Sequence, residues 1–561
     1  MPLSLVPNPV KQFTLSIIPA TLILGAFGTS VNALDLTRLG SFETGQAQGS
    51  EIAAYDPTSQ RLFVTNGANN RLDIISISDP RNPTKFGEID LSLFGGGVNS
   101  VAVKNGVVAA AVQANIITDP GTVAFFNVNG NPLNSVTVGA LPDMLTFTLD
   151  GLKVLVANEG EPNEDYTIDP VGSVSIIDLS NGVLNATVNT AGFSAFNSGN
   201  LDPNVRIFGP GASIEQDLEP EYIALSPDGQ KAFITLQENN AVATLDLASG
   251  TITDIVALGF KDHSLPGNGL DASDRDGPGN NGRINIQNWP VFGMYQPDGI
   301  SAFQVGNQTY YITANEGDAR VRPTGDNILP PPNDGEGDIF NEEVRVNSIT
   351  LDPTAFPNAA ILQDNDNLGR LTITNTLGDT DGDGDFDQLY AFGGRSFSIW
   401  DDQGNLVFDS GDDFEQITAS LFPSIFNANR DATPDSFDSR SDNKGPEPEG
   451  VAIGQIGNRL YGFIGLERIG GFMVYDITDP TNPLFVKYQN DTALGDLSPE
   501  GVLFISPEDS PTGQSLLVLT NEESGNTSIY SVSTPEPASI LGLMMVGLMG
   551  GLSRKFSRKS S

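Results

Sequence analysis

The chain is 561 residues long with no cysteine, and its 70 Asp and Glu against 28 Lys and Arg give a formal charge of −42 at pH 7. The lack of Cys excludes disulfides, cysteine-ligated zinc and thiol catalysis, and the charge argues against nucleic acid or an anionic membrane surface as a partner. Cations, basic proteins and polysaccharide bridged by cations fit that balance, and 61 Gly, 37 Pro and few sustained helical patterns predict an all-β body rich in turns.

Residues 1–33 read as an export signal peptide. Lys11 precedes an apolar segment over residues 13–28, and Val31-Asn32-Ala33 supplies small residues for cleavage. The mature chain is expected to begin near Leu34 and to form one β-propeller domain over residues 34–532.

Within it, four short apolar runs separated by turn residues recur at the roughly 40-residue period of a propeller blade. Eight such repeats cover residues 52–91, 98–138, 142–190, 219–258, 296–351, 371–411, 446–483 with a fourth run from Leu484, and 497–532. Residues 219–258 are the clearest, with Ser226-Pro227-Asp228-Gly229 as a hairpin turn. The last repeat has only three runs, and residues 36–43 (LTRLGSFE) are placed to supply its missing outer strand. Closure of that kind leaves no long open sheet edge. The sequence therefore predicts an all-β propeller of eight blades, with seven as the alternative if the interrupted sixth repeat belongs to the fifth blade.

Acidic residues recur at fixed places in the repeat. Glu51, Asp143, Glu221, Asp298, Glu449 and Glu500 stand where first strands start, and Glu159, Glu238, Glu316, Glu467 and Glu522 stand where second strands end. Paired acids are 16 to 22 residues apart, near the length of one hairpin. An antiparallel return then brings both to one face, near the mouth of the central channel. So many carboxylates repel unless cations, Arg or raised pKa values relieve them. The ring is thus either a cation site or a structural set paired with Arg, for which Arg320, Arg395 and Arg468 are the candidates.

The sixth repeat carries the sharpest motif. Asp379, Asp381, Asp383, Asp385 and Asp387 alternate with Thr380, Gly382, Gly384 and Phe386, and fit D-x-D-x-D-G, in which alternate Asp oxygens converge on a hard cation. Position 12 is Tyr390 rather than Glu, which speaks against an EF-hand helix pair but not against a calcium loop set between two strands. A second acidic loop, with Asp271, Asp274 and Asp276, is interrupted by Arg275, and its acids suit turn capping. His263 is the only His, so a His-based triad or a multi-His metal site is impossible.

The stretches NWPVFGMYQPD (residues 288–298), FGGRSFSIWDDQGNLVFDSGD (392–412), and EPEGVAI with GLERIGGFMVYDITDP (447–453 and 465–480) resemble the choice-of-anchor I family, bacterial surface propellers related to mesenchyme-specific cell-surface glycoproteins. The resemblance spans most of residues 35–532 and implies a secreted propeller that reaches the surface with varied C-terminal anchors. Some of the relatives carry phosphatase or nucleotidase labels, often through fused domains. Residues 533–561 resemble a PEP-CTERM sorting segment: Pro535-Glu536-Pro537, an apolar run of 14 residues over 539–552, then Arg554, Lys555, Arg558 and Lys559. That run is short for a permanent span of about 20 residues, and the basic tail would stay cytoplasmic during a transient membrane insertion. The resemblance implies removal of the tail by an exosortase, in Gram-negative bacteria that make exopolysaccharide.

No nucleophile–base pair stands out. The expected function is a noncatalytic, calcium-stabilised propeller at the cell surface or in the matrix, binding polysaccharide or a surface protein. The alternatives are a calcium-dependent phosphoesterase of alkaline phosphatase or phytase type, and a lactonase-like hydrolase, each using the channel-mouth carboxylates.

Overall fold

The computed structural model describes residues 34–322 and 340–535. The expected signal peptide, Glu536 and Pro537 of the sorting motif, and the apolar tail lie outside the described residues.

Seven four-stranded antiparallel sheets form the body. In chain order, blade 1 holds Ala53–Asp56 to Thr84–Asp90, blade 2 Gly97–Lys104 to Pro132–Ala140, and blade 3 Pro142–Phe147 to Thr187–Gly192. Blade 4 holds Ile223–Leu225 to Thr251–Ala257, and blade 6 Pro448–Ile456 to Leu484–Gln489. Blade 7 comprises Pro499–Ile505, Ser515–Asn521 and Asn526–Ser533, and its outer strand is Asp35–Glu43, paired antiparallel with Leu36 opposite Val532. The first strands of neighbouring blades touch in a cycle from blade 1 through blade 7 and back to blade 1.

Of the two blade counts expected, the favoured eight is corrected to the alternative seven, in which the interrupted sixth repeat belongs to the fifth blade. Blade 5 takes Ile300–Val305 and Gln308–Asn315 from the fifth repeat and Ser396–Asp401 and Leu406–Asp409 from the sixth, with Ile312 opposite Ile399. Residues 316–395 are inserted between its second and third strands. Thr372–Thr374 and Tyr390–Ala391, read as part of a blade, instead join Phe260–Asp262, Phe292–Met294 and Glu343–Arg345 in a mixed five-stranded sheet. That sheet packs on its own core, which includes Leu270, Val291, Leu351, Leu371 and Leu389. The inserted strands have the turn spacing of a blade but face no neighbouring blade, and spacing alone does not report which surface a strand covers.

Packing explains the sequence of the inner strands. Successive side chains of a strand point to opposite faces, and each blade is sandwiched between two others, so both faces are apolar. In Arg61–Asn66, Phe63 joins the cluster shared with blade 2, whereas Leu62 and Val64 join the cluster shared with blade 7. Each of the seven interfaces between adjacent blades has its own buried cluster. Outer strands such as Thr84–Asp90 are mostly exposed and correspondingly polar.

Candidate functional site

The mouth is built by one local device repeated. In blades 3, 6 and 7 the first strand opens Pro-acid, with Pro142, Pro448 and Pro499 each paired to the second strand's end and a break in register directly after. A bulge of this kind re-aims the side chain beside it, and here that side chain is Asp143, Glu449 or Glu500. Pro220-Glu221 and Pro297-Asp298 open blades 4 and 5 in the same way. The second strands return Asn158-Glu159, Gln237-Glu238, Asn315-Glu316, Leu466-Glu467 and Asn521-Glu522 to the same end.

Nine of the eleven acids expected at the mouth line one cavity of about 380 Å³: Asp143, Glu159, Glu221, Asp298, Glu316, Glu449, Glu467, Glu500 and Glu522, joined there by Asp318. Of the remaining two, Glu238 is buried behind Glu221, with carboxylate oxygens of Glu159, Glu221 and Glu238 all within 4.8 Å of one another. Oxygens of Asp298, Glu316 and Glu449 form a second such group. Glu51 stands outside the lining, beside Gly67. Blades 1 and 2 contribute no second-strand acid, since Asn66 and Gln113 are followed by Gly67 and Ala114. The carboxylates therefore concentrate on blades 3 to 7.

Two arcs differ. On blades 5 to 7 the acid is followed by glycine, and a Cβ on Gly299, Gly450 or Gly501 would lie 2.4, 2.0 or 2.5 Å from the backbone oxygen of Glu449, Glu500 or Glu51 on the next blade. Only glycine permits that approach. On blades 3 and 4 the corresponding residues are Met144 and Tyr222, and both line the cavity.

Cations are as unevenly placed. Lys444 Nζ lies 2.7 Å from Glu316 and 3.2 Å from Glu447, Arg468 lies 2.9 Å from Glu447 and 3.1 Å from Glu467, and Arg430 reaches Glu467 and Glu522 at 3.2 and 3.6 Å. Arg440 adds a 2.6 Å contact to Glu447. Burial alone would push the Glu447 carboxyl up, but Arg440, Arg468 and Lys444 together hold it well below the usual range. Among the described residues, Asp143, Glu159, Glu221 and Glu238 have no ion-pair partner, and neither do Asp298, Glu449 and Glu500 on blades 5 to 7, whose carboxyls burial and neighbouring acids also push well above the usual range. Burial first, and neighbouring carboxylates second, push Glu159 and Glu221 well above the usual carboxylate range and Asp143 up to about 7.

Of the three arginines expected to serve the ring, Arg468 does so. Arg320 instead holds Asp217 and Glu219, each at 2.6 Å, and Arg395 holds Glu415 at 2.6 Å. The sequence reading missed Arg430, Arg440 and Lys444, all on the connection between the helix Asp413–Leu421 and blade 6. Three cations within 15 positions of an acidic chain were the available signal.

The Asp-rich loop lies between Thr372–Thr374 and Tyr390–Ala391 of the inserted sheet. Its five acids do not meet at one point. Asp379, Asp381 and Asp387 form one group, Asp385 and Asp387 form another with Asp352, and Asp383 belongs to neither. Asp379 accepts hydrogen bonds from the backbone N–H groups of Gly382 (2.7 Å) and Gly384 (3.0 Å). Asp271, Asp274 and Asp276 are separately engaged: Asp271 accepts from the Asn285 N–H, Asp274 pairs with Arg370 and Asp276 with Arg283. His263 is buried, with Nδ1 2.6 Å from the Asn268 carbonyl, away from the mouth.

A family model for the Choice-of-anchor I domain matches residues 51–480, and a PEP-CTERM protein-sorting motif matches residues 533–559. The chain belongs to the choice-of-anchor I family. This choice-of-anchor I protein is exported and anchored at the cell surface, and its sorting motif implies processing by exosortase-type machinery. It is 34% identical over 185 residues to Gigasin-3a of Magallana gigas (29% of this chain, 64% of that protein). It is 29% identical over 294 residues to the mesenchyme-specific cell surface glycoprotein of Strongylocentrotus purpuratus (49% of this chain, 36% of that protein). The choice-of-anchor I chain thus spans less than two thirds of either relative. Among solved structures it is similar to Kuenenia stuttgartiensis hydrazine synthase (TM-score 0.44, 12% identity, 88% of this chain and 98% of that one) and a streptogramin B lyase (TM-score 0.42, 9% identity, 89% and 98%).

Proposed function

We propose that this surface propeller is a noncatalytic binding protein whose acid-lined mouth takes up calcium and, through it, engages polysaccharide or a surface protein. The observation that carries the reading is the convergence of ten carboxylates on one cavity whose cations serve only part of it. Oxygen-only donors suit a hard cation, and a bound ion with vacant coordination positions can bridge an anionic protein to sugar hydroxyls or carboxylates. The Asp379–Asp387 loop is a second calcium position under this reading, with Asp352 as a ligand contributed from outside the motif. An N-terminal signal peptide over residues 1–33 completes the export route.

Calcium titration by calorimetry, with a pull-down on acidic polysaccharide in calcium or chelator, tests this. Calcium uptake and calcium-dependent retention without turnover of phosphate esters or lactones is the expected result. Chelator-sensitive hydrolysis of either substrate class would replace the reading by a metal-dependent hydrolase.

A further inference from the structure

We infer that the mouth holds its divalent cation at one corner, between Glu159, Glu221 and Glu238 of blades 3 and 4, while at the Asp298–Glu316–Glu449 corner Lys444 already pairs with Glu316. The inference rests on the calcium reading above and locates it.

The three oxygens lie within 4.8 Å of one another. Two ligands on one calcium stand at most about 4.8 Å apart, twice a mid-range Ca–O distance, so the spacing suits calcium without rearrangement. Glu221 is 9% exposed and Glu238 3%, yet Oε2 of each is buried without any hydrogen-bond partner. A buried carboxylate oxygen left unpaired is costly. The nearby arginines are committed elsewhere, Arg320 to Asp217 and Glu219 and Arg322 to Glu161. Glu159 and Glu221 both face the cavity, so an ion here keeps a side open to an incoming oxygen.

The other corner has the same carboxylate count, and Oε2 of Glu449 is likewise buried without a partner, but there one of the three carboxylates is already taken. Both oxygens of Glu316 are occupied, one by Lys444 at 2.7 Å and the other by Gln237 Nε2 at 3.0 Å. A tethered ammonium already supplies the positive charge that an ion would bring.

The test uses the full chain carrying Asp381→Asn and Asp387→Asn, which takes a ligand from both carboxylate groups of the exposed loop. Calcium, magnesium and manganese are each titrated by calorimetry, with and without Glu221→Gln, Glu238→Gln or Asp298→Asn, and circular dichroism confirms that each variant is folded. The expected result is one calcium per chain. Its affinity should fall by more than the about 10–100-fold cost of losing a supporting group in Glu221→Gln and Glu238→Gln, and should stay essentially unchanged in Asp298→Asn. Calcium binding that survives both glutamine changes, or that disappears in Asp298→Asn, overturns the assignment while leaving the calcium reading intact. No binding of any of the three metals by the parent chain defeats both.

Discussion

On blades 5 to 7, glycine after each acid draws neighbouring inner strands together, and Lys444, Arg430, Arg440 and Arg468 thread among the carboxylates. On blades 3 and 4, Met144 and Tyr222 take the place of glycine, and among the described residues no cation pairs with the carboxylates of Asp143, Glu159, Glu221 or Glu238, Arg206 reaching only the Glu238 backbone carbonyl. On one arc cations pair with Glu316, Glu447, Glu467 and Glu522 and leave Asp298, Glu449 and Glu500 unpaired, and on the other no carboxylate is paired. Identical residue types thus enter ion pairs on one side of the mouth and, under the calcium reading, act as ligands on the other. What separates them is whether the fold delivers a counter-charge.

The comparison breaks most visibly at Glu447, which is fully buried and contacts three cations. Glu447→Gln leaves those charges uncompensated and should cost about 3–5 kcal/mol, read from denaturant unfolding. A loss below about 1 kcal/mol would mean that the network is not what holds this arc together.

Lys444→Met should make the two arcs alike. Removing the ammonium frees Glu316, so a second calcium should appear in calorimetry. Calcium at about 100 times its Kd should then restore roughly 2.7 kcal/mol to the variant, measured as the thermal stability difference between calcium and chelator. An unchanged stoichiometry would show that Lys444 does not stand in for an ion.

Gly450→Ala probes the tight arc alone. Its Cβ would lie 2.0 Å from the Glu500 backbone oxygen, which cannot swing aside, and overpacking of this kind costs about 1–3 kcal/mol. The variant's midpoint in a urea titration checks it, and calcium binding at blades 3 and 4 should persist.

The smallest effect is read by pH, and it is shared by Asp298, Glu449 and Glu500, which burial also raises. Burial raises the carboxyls of Glu159 and Glu221, and raises Asp143 to about 7. A carboxyl raised above its unfolded value contributes stability that is fully present below that unfolded value and is lost as pH rises through the folded one. In chelator, the protein should therefore lose on the order of 1–2 kcal/mol between pH 5 and pH 8. With calcium the loss should shrink, the share of Asp298, Glu449 and Glu500 remaining, and binding should release protons that appear as a buffer-dependent heat. A flat chelator profile would show these acids already ionised without metal.

The sequence by itself determined the blade plan, the closing strand and the gathering of the acids. Turn-bounded apolar runs dictate antiparallel hairpins, and a hairpin of fixed length returns its end to its start, so Glu449 and Glu467 could be placed together from their spacing alone. Tertiary structure decided the rest. Seven blades rather than eight follow from Ser396–Asp401 pairing with Gln308–Asn315 across a long insertion, and no local pattern records which distant strand a run will join. Arg430, Arg440 and Lys444 reach the mouth because one connection crosses it, and Arg320 and Arg395 turn away because other acids lie nearer. Local periodicity fixes where a carboxylate sits, but its state depends on charges brought from far along the chain, and those distances exist only once the ring has closed.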